Sequence, residues 1–194
     1  MKAKSKPIEA MVPWKKFDSQ ILDVKGQVIF QMKNIEAPAF WSQTAVDIVA
    51  SKYFYKGHEK SVRQLVSRIA NGLKTAIEQS KILKTKKEIQ TYIDEIKLGL
   101  YRQEFAFNSP IWFNCGLSET YKAKSASDQH YAFNFKNKKI EPALDVYKRP
   151  QSSACFIQSV DDSMESIFDL LKTEAMLFKF GSGTGTNFTN LRSR

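Results

Sequence analysis

A thiol and a run of bare backbone are the two features of this chain best suited to chemistry. The thiol is Cys155, set among small residues in Gln151-Ser152-Ser153-Ala154-Cys155-Phe156. The bare backbone is Phe178-Lys179-Phe180-Gly181-Ser182-Gly183-Thr184-Gly185-Thr186-Asn187, where glycine at every second position from Gly181 to Gly185 lets a planar or anionic group approach the main chain. A thiol can deliver hydrogen or close a disulfide, and unshielded amides can hold phosphate. By residue type alone each also has a plainer reading. Cys155 fits a small buried hydrophobe, and the glycines fit close packing of a returning strand.

The elements that must position these groups follow from hydrophobic period and punctuation. Residues 154–160 read as a strand, and Asp162-Ser163-Met164-Glu165 resembles a capping box launching a helix with Met164, Ile167, Phe168, Leu171, Ala175 and Phe178 on its apolar face. Strand, helix and glycine-rich return make an α/β layout, in which ligands gather at loops along one rim. Upstream, residues 108–116 read as a buried strand bounded by Pro110 and Gly116, and residues 117–150 as a long polar loop or insertion. Before that stands a mainly helical amino-terminal domain, residues 1–107. It opens with a weakly ordered lead-in to about residue 22 and a short hairpin turning at Lys25-Gly26. Three helical patterns follow. The first carries Trp41, Ala45, Ile48, Val49 and Lys52 on one stripe, and the second Val62, Leu65, Val66, Ile69, Leu73 and Ile77. The third starts at a Thr85–Glu88 capping box and turns Ile89, Ile93, Ile96 and Leu100 inward.

Composition narrows the function classes. A hydrophobic content of 42% supports a core, yet no apolar run approaches the roughly 20 residues of a membrane span, and no signal segment follows the lysine-rich start. Two cysteines, Cys115 and Cys155, are too few for a secreted disulfide framework, so the expectation is a cytoplasmic protein with reduced thiols. The net charge of +10 comes from lysines scattered through nearly every segment, without the basic and aromatic interleaving of a nucleic-acid platform. His58 and His130 have no acidic or cysteine cluster at ligand spacing, and no metal site is expected.

Four segments occur in an order that carries a family resemblance: Asn108-Ser109-Pro110-Ile111-Trp112-Phe113-Asn114, Ser153-Ala154-Cys155-Phe156-Ile157, Asp161-Asp162-Ser163-Met164-Glu165-Ser166-Ile167, and Phe178 to Gly185. With Ala39-Phe40-Trp41-Ser42-Gln43 and the stretch from Asp47 to Phe54, the chain from about residue 13 resembles the amino-terminal part of the adenosylcobalamin-dependent (class II) ribonucleotide reductases. The resemblance implies a helical amino-terminal subdomain followed by the first strands and helix of a ten-stranded α/β barrel, incomplete here, with residues 108–194 as its beginning. It implies replacement of the ribose 2′-hydroxyl by hydrogen through thiyl-radical chemistry started by adenosylcobalamin. Cys155 would be one of the reducing thiol pair.

Carried over residue by residue, Ser109, Ala154, Cys155 and Gly183 match substrate-binding positions. Asp162, Ser163, Met164 and Arg192 match positions that bind an effector, a deoxynucleotide or ATP. The implied partners are a ribonucleotide substrate, a thioredoxin-like or dithiol reductant, and a second copy in a homodimer. The radical cysteine, the second reducing cysteine and the corrin-holding residues are expected outside this chain, which alone should not turn over and reads as a fragment, a truncated frame or one piece of a split enzyme. Relatives of this kind often carry a further cysteine where Ser152 stands. The competing reading is a non-catalytic nucleotide- or phosphate-binding module with residues 181–186 as its anion loop.

Overall fold

A long antiparallel hairpin opens the chain in the computed structural model, which describes residues 7–125, 130–134, 136–143, 145–179 and 181–193; Phe180 of the glycine-rich run and the terminal Arg194 lie outside them. Strands β1 (Trp14–Leu22) and β2 (Val28–Pro38) pair from Trp14↔Pro38 to Leu22↔Val28. The turn falls at Lys25-Gly26 as expected, held by the Asp23 carboxylate, which accepts from Lys25 N and Gln27 N at 2.8 Å each. The expectation of a weak lead-in to residue 22 is overturned over residues 14–22, which are strand. Two consecutive exposed lysines, Lys15 and Lys16, break the alternation that marks a strand, and Ser19 occupies an inward position usually held by an apolar residue.

Helix α1 (Gln43–Ile48) is capped by Ser42 and runs into a π-helical turn, Val49–Tyr53. The inward residues are Trp41, Val46, Ala50 and Phe54, whereas Ile48 and Lys52 are exposed, so the expected stripe is displaced. A π turn widens the helix and rotates the inward face relative to a regular 3.6-residue count. Helices α2 (Val62–Ser80) and α3 (Lys86–Arg102) match their stripes, burying Val62, Leu65, Val66 and Ile69 from one and Ile89, Ile93 and Leu100 from the other. The capping box is present: Thr85 Oγ1 accepts from Glu88 N at 3.1 Å and Glu88 Oε2 accepts from Thr85 N at 2.8 Å.

Residues 108–116 depart from expectation. They form a short helix, α4 (Ser109–Asn114), with Asn108 before it and Pro110 in its first turn, followed by α5 (Leu117–Tyr121). A short apolar run fits a buried strand or a buried helical turn equally by pattern; the fixed φ of proline favours a helix start. The expected long loop contains α5 and an antiparallel hairpin, β3 (Tyr131–Asn134) with β4 (Lys139–Pro142).

Strand β5 (Cys155–Ser159), helix α6 (Met164–Lys179) and strand β6 (Gly183–Asn187) form a parallel β-α-β unit. The described residues make three two-stranded sheets and no closed barrel, so the α/β class stands while ten strands are not formed by them. The helix α6 stripe is a correction: Met164, Ile167, Phe168, Leu171 and Phe178 are exposed, and Ala175 with them. Glu174 and the half-buried Leu170 and Leu177 occupy other positions around the helix. Periodicity shows which residues share a face, not whether this chain supplies anything to cover it.

Candidate functional site

Cys155 and Gly183 are direct partners in the parallel pair, and Ile157↔Gly185 and Ser159↔Asn187 continue the row. Because side chains alternate along a strand, these residues share one face of the sheet, and all of them are exposed. The opposite face is tied to α6. Glu174 Oε1 accepts from Thr186 Oγ1 at 3.0 Å, and Gln158 donates to Thr184 Oγ1 at 2.7 Å. The two-stranded unit therefore has one anchored polar face and one open face carrying a thiol between small residues.

The glycines divide by role. Gly181 has φ +79° and makes the turn into β6. Gly183 and Gly185 have ordinary strand conformations; among the described residues a Cβ at Gly183 would meet only Ala154 O at 3.7 Å, and one at Gly185 only Ile157 Cδ1 at 3.6 Å. Close packing of the returning strand does not require either. Nor do residues 183–186 form an anion loop, because they lie in β6. Any need for glycine at position 183 comes from what approaches the open face.

The chain leading into Cys155 is fixed from three directions. Ser152 O accepts from Asn108 Nδ2 at 2.7 Å, Ser153 O from Ser182 Oγ at 3.2 Å, and Ala154 O from the backbone N–H of Gly183. The first bond ties the start of α4 to the approach to β5 and so brings Ser109 into the neighbourhood of Ala154 and Cys155. Ser109, expected at a strand end, is instead the first residue of α4, with its hydroxyl 3.0 Å from that of Tyr53. Pattern reading missed Asn108, Tyr53 and Ser182, whose partners lie 29 to 56 residues away.

The α4 helix is held by a fully buried ion pair. Arg68 donates from Nε to Glu59 Oε1 at 2.7 Å, from Nη1 to Cys115 O at 2.7 Å, and from Nη2 to Trp112 O at 2.9 Å. Glu59 also accepts from Tyr55 N and Tyr121 Oη. A charged residue flanked by Val66 and Ile69 on the inward side of α2 was the legible signal, since a buried guanidinium requires partners. Cys115 is buried against this network, and burial pushes its thiol up to about 11. Cys155 is exposed.

At the far end of β5, Ser163 rather than Asp162 caps α6, its Oγ accepting from Ser166 N at 3.2 Å. Asp162 instead pairs with Arg192 at 3.1 Å, which unites two of the four effector candidates; Ser163 and Met164 follow Asp162 directly. All four are exposed at the surface. Among the described residues no group of three or more His, Cys, Asp or Glu side chains could hold a metal, and no helix is long and apolar enough to cross a membrane.

The family profile described as "Ribonucleotide reductase, barrel domain" matches residues 153–194, the segment that carries the thiol-bearing strand and its glycine partner. The profile of "Class II vitamin B12-dependent ribonucleotide reductase" matches residues 15–57 and 55–103. The chain belongs to that class II family. It is similar to the vitamin B12-dependent ribonucleotide reductase of Rhodopirellula baltica, 38% identical over 191 residues, covering 95% of this chain and 18% of that protein. The protein of the same description from Streptomyces coelicolor is 36% identical over 188 residues, covering 94% of this chain and 16% of its own. A vitamin B12-dependent ribonucleoside-diphosphate reductase from Thermoplasma acidophilum is 28% identical over 177 residues, covering 77% and 23%. The chain thus spans less than a quarter of the length of these relatives.

Proposed function

We propose that this chain is the amino-terminal segment of an enzyme that reduces ribonucleoside di- or triphosphates to deoxyribonucleotides. Cys155 is one thiol of the reducing pair. The balance is a ribonucleotide and two thiols giving a deoxyribonucleotide, a disulfide and water: the 2′-hydroxyl leaves as water, hydrogen takes its place, and both electrons come from the thiols. A thioredoxin-like or dithiol reductant then reopens the disulfide by exchange. Adenosylcobalamin supplies the radical that starts the reaction. The reducing thiol lies in this chain, and the corrin and the radical cysteine are assigned to the rest of the enzyme, since the chain spans less than a quarter of the length of its relatives.

The observation that carries this reading is the exposed Cys155 beside Gly183 on an open sheet face, with no steric reason for that glycine among the described residues. Ser109 and the backbone at Ala154 complete the substrate cradle. Asp162, Ser163, Met164 and Arg192 take the effector, the carboxylate accepting from its deoxyribose hydroxyl and the guanidinium facing its phosphate. The uncovered apolar stripe of α6 supports a homodimer beside that effector site. Residues 1–107 are the amino-terminal domain and 108–194 the start of a ten-stranded barrel, in a cytoplasmic enzyme whose thiols stay reduced between turnovers. In the complete cobalamin-loaded enzyme, Cys155→Ser should end multiple turnover with thioredoxin or dithiol while effector binding persists. Sustained turnover by that variant would remove Cys155 from the reducing pair.

A further inference from the structure

We infer that Tyr53 is a positioning residue for substrate binding, aiming the hydroxyl of Ser109 at an oxygen of the ribonucleotide; this rests on Ser109 being a substrate contact. The two hydroxyls lie 3.0 Å apart although 56 residues separate them. The same buried guanidinium holds the backbone of Tyr53 and that of α4: Arg68 Nη2 donates to Tyr53 O at 3.3 Å and to Trp112 O, three residues after Ser109. The Tyr53 ring is wedged against α4, with centroids 5.9 Å from Trp112 and 5.1 Å from Phe113. Neither partner can drift from the other without breaking the Arg68 network or this aromatic packing.

Either hydroxyl of the pair can donate, and the ligand selects which. Ser109 is the first residue of α4, so no preceding turn of helix offers a carbonyl to take its hydroxyl hydrogen. When a phosphate or ribose oxygen of the ligand accepts from Ser109 Oγ, the phenol of Tyr53 donates to that same Oγ and holds the serine proton on the ligand. The Asn108 to Ser152 bond places this donor beside the Ala154–Cys155 approach rather than elsewhere on the helical core. The positioning acts on binding, because the hydroxyl pair touches no reacting bond.

The test is a double-mutant cycle in the complete enzyme with Tyr53→Phe, Ser109→Ala and the pair together, reading substrate Kd by equilibrium binding, and KM and kcat by turnover. Tyr53→Phe should raise Kd and KM about 3–10-fold with kcat within about twofold, the scale of one neutral hydrogen bond. It should add nothing in the Ser109→Ala background. If Ser109→Ala weakens binding but Tyr53→Phe does not, or if the two effects simply add, the positioning role is overturned while Ser109 remains a substrate contact. If Ser109→Ala leaves Kd unchanged, the substrate reading of Ser109 falls and the role of Tyr53 with it. A thermal melt checks that Tyr53→Phe is folded; should it not be, Tyr53→Leu, whose side chain has no hydrogen-bonding group, replaces it in the same cycle with the same expected and contrary outcomes.

Discussion

Cys155 and Gly183 face each other across the parallel β5–β6 pair, so a thiol and a residue without a side chain share the same open surface. A Cβ at position 183 would make only an ordinary contact, 3.7 Å from Ala154 O, and the backbone there is ordinary strand. Gly183→Ala should therefore leave stability unchanged or raise it by up to about 1 kcal/mol, as expected for replacing a strand glycine. Under the proposed function, nucleotide affinity in the complete enzyme should fall at least about tenfold, because the methyl would project into the space assigned to the substrate. A melt and a binding titration on the same sample separate the two effects, and undiminished affinity would show that nothing approaches that face closely.

Glycine at position 116 behaves oppositely. It has φ +79°, and a Cβ would stand 1.8 Å from Arg68 O. Gly116→Ala should cost more than about 2 kcal/mol through left-handed strain and the displaced α2 backbone, seen as a lowered unfolding midpoint.

The two thiols should differ sharply in reactivity. Cys155 is exposed, whereas Cys115 is buried with its thiol pushed up to about 11, so its thiolate is scarce at pH 8. Alkylation of the folded chain at pH 8 should modify one thiol, identified by peptide mass as Cys155, and Cys115 should react only after denaturation.

Removing one side of the Arg68–Glu59 pair should be among the most damaging single changes outside the thiol site. Both side chains are fully buried, and Glu59 also satisfies Tyr55 N and Tyr121 Oη. Arg68→Met or Glu59→Gln should cost about 3–5 kcal/mol by leaving a buried partner uncompensated. Denaturant unfolding gives the value, and a loss under about 1 kcal/mol would mean that the network is loosely solvated.

Acid should loosen the start of α3. Bonds from Thr85 to the Glu88 carboxylate hold its pKa below the ordinary value of 4.5. A lowered folded pKa means that this contribution is present above 4.5 and is lost as pH falls through the folded value. Amide exchange at residues 85–88 should rise selectively below pH 4.5, and Glu88→Gln should flatten that dependence.

Arg192 offers a test of the effector assignment. Its pairing with Asp162 is a surface contact, the arginine side chain being 84% exposed, so Arg192→Ala should change stability by less than about 1 kcal/mol. Effector affinity should drop while substrate affinity measured without effector stays the same.

Much of the local structure was legible in the residues themselves. Helices α2 and α3 announce their buried stripes and the Thr85–Glu88 cap, the turn at Gly26 carries its own chemistry, and the order of the serine, cysteine and glycine segments points to the family. Local signals of this kind survive because they depend on neighbours within a few residues. The failures share a cause. Strand β1 is hidden by two adjacent exposed lysines and an inward serine, α4 is too short for its period to identify it, and the π turn rotates the face of α1.

The amino-acid sequence alone determined that this is an α/β chain of the class II reductase type with one candidate redox thiol, because motif order and spacing are properties of the chain. Tertiary structure alone decided which of those residues meet: Cys155 with Gly183, Ser109 with Tyr53, Asp162 with Arg192, and Arg68 with the end of α4. Those contacts depend on hydrogen bonds and burial between residues distant in sequence, and no local period encodes them.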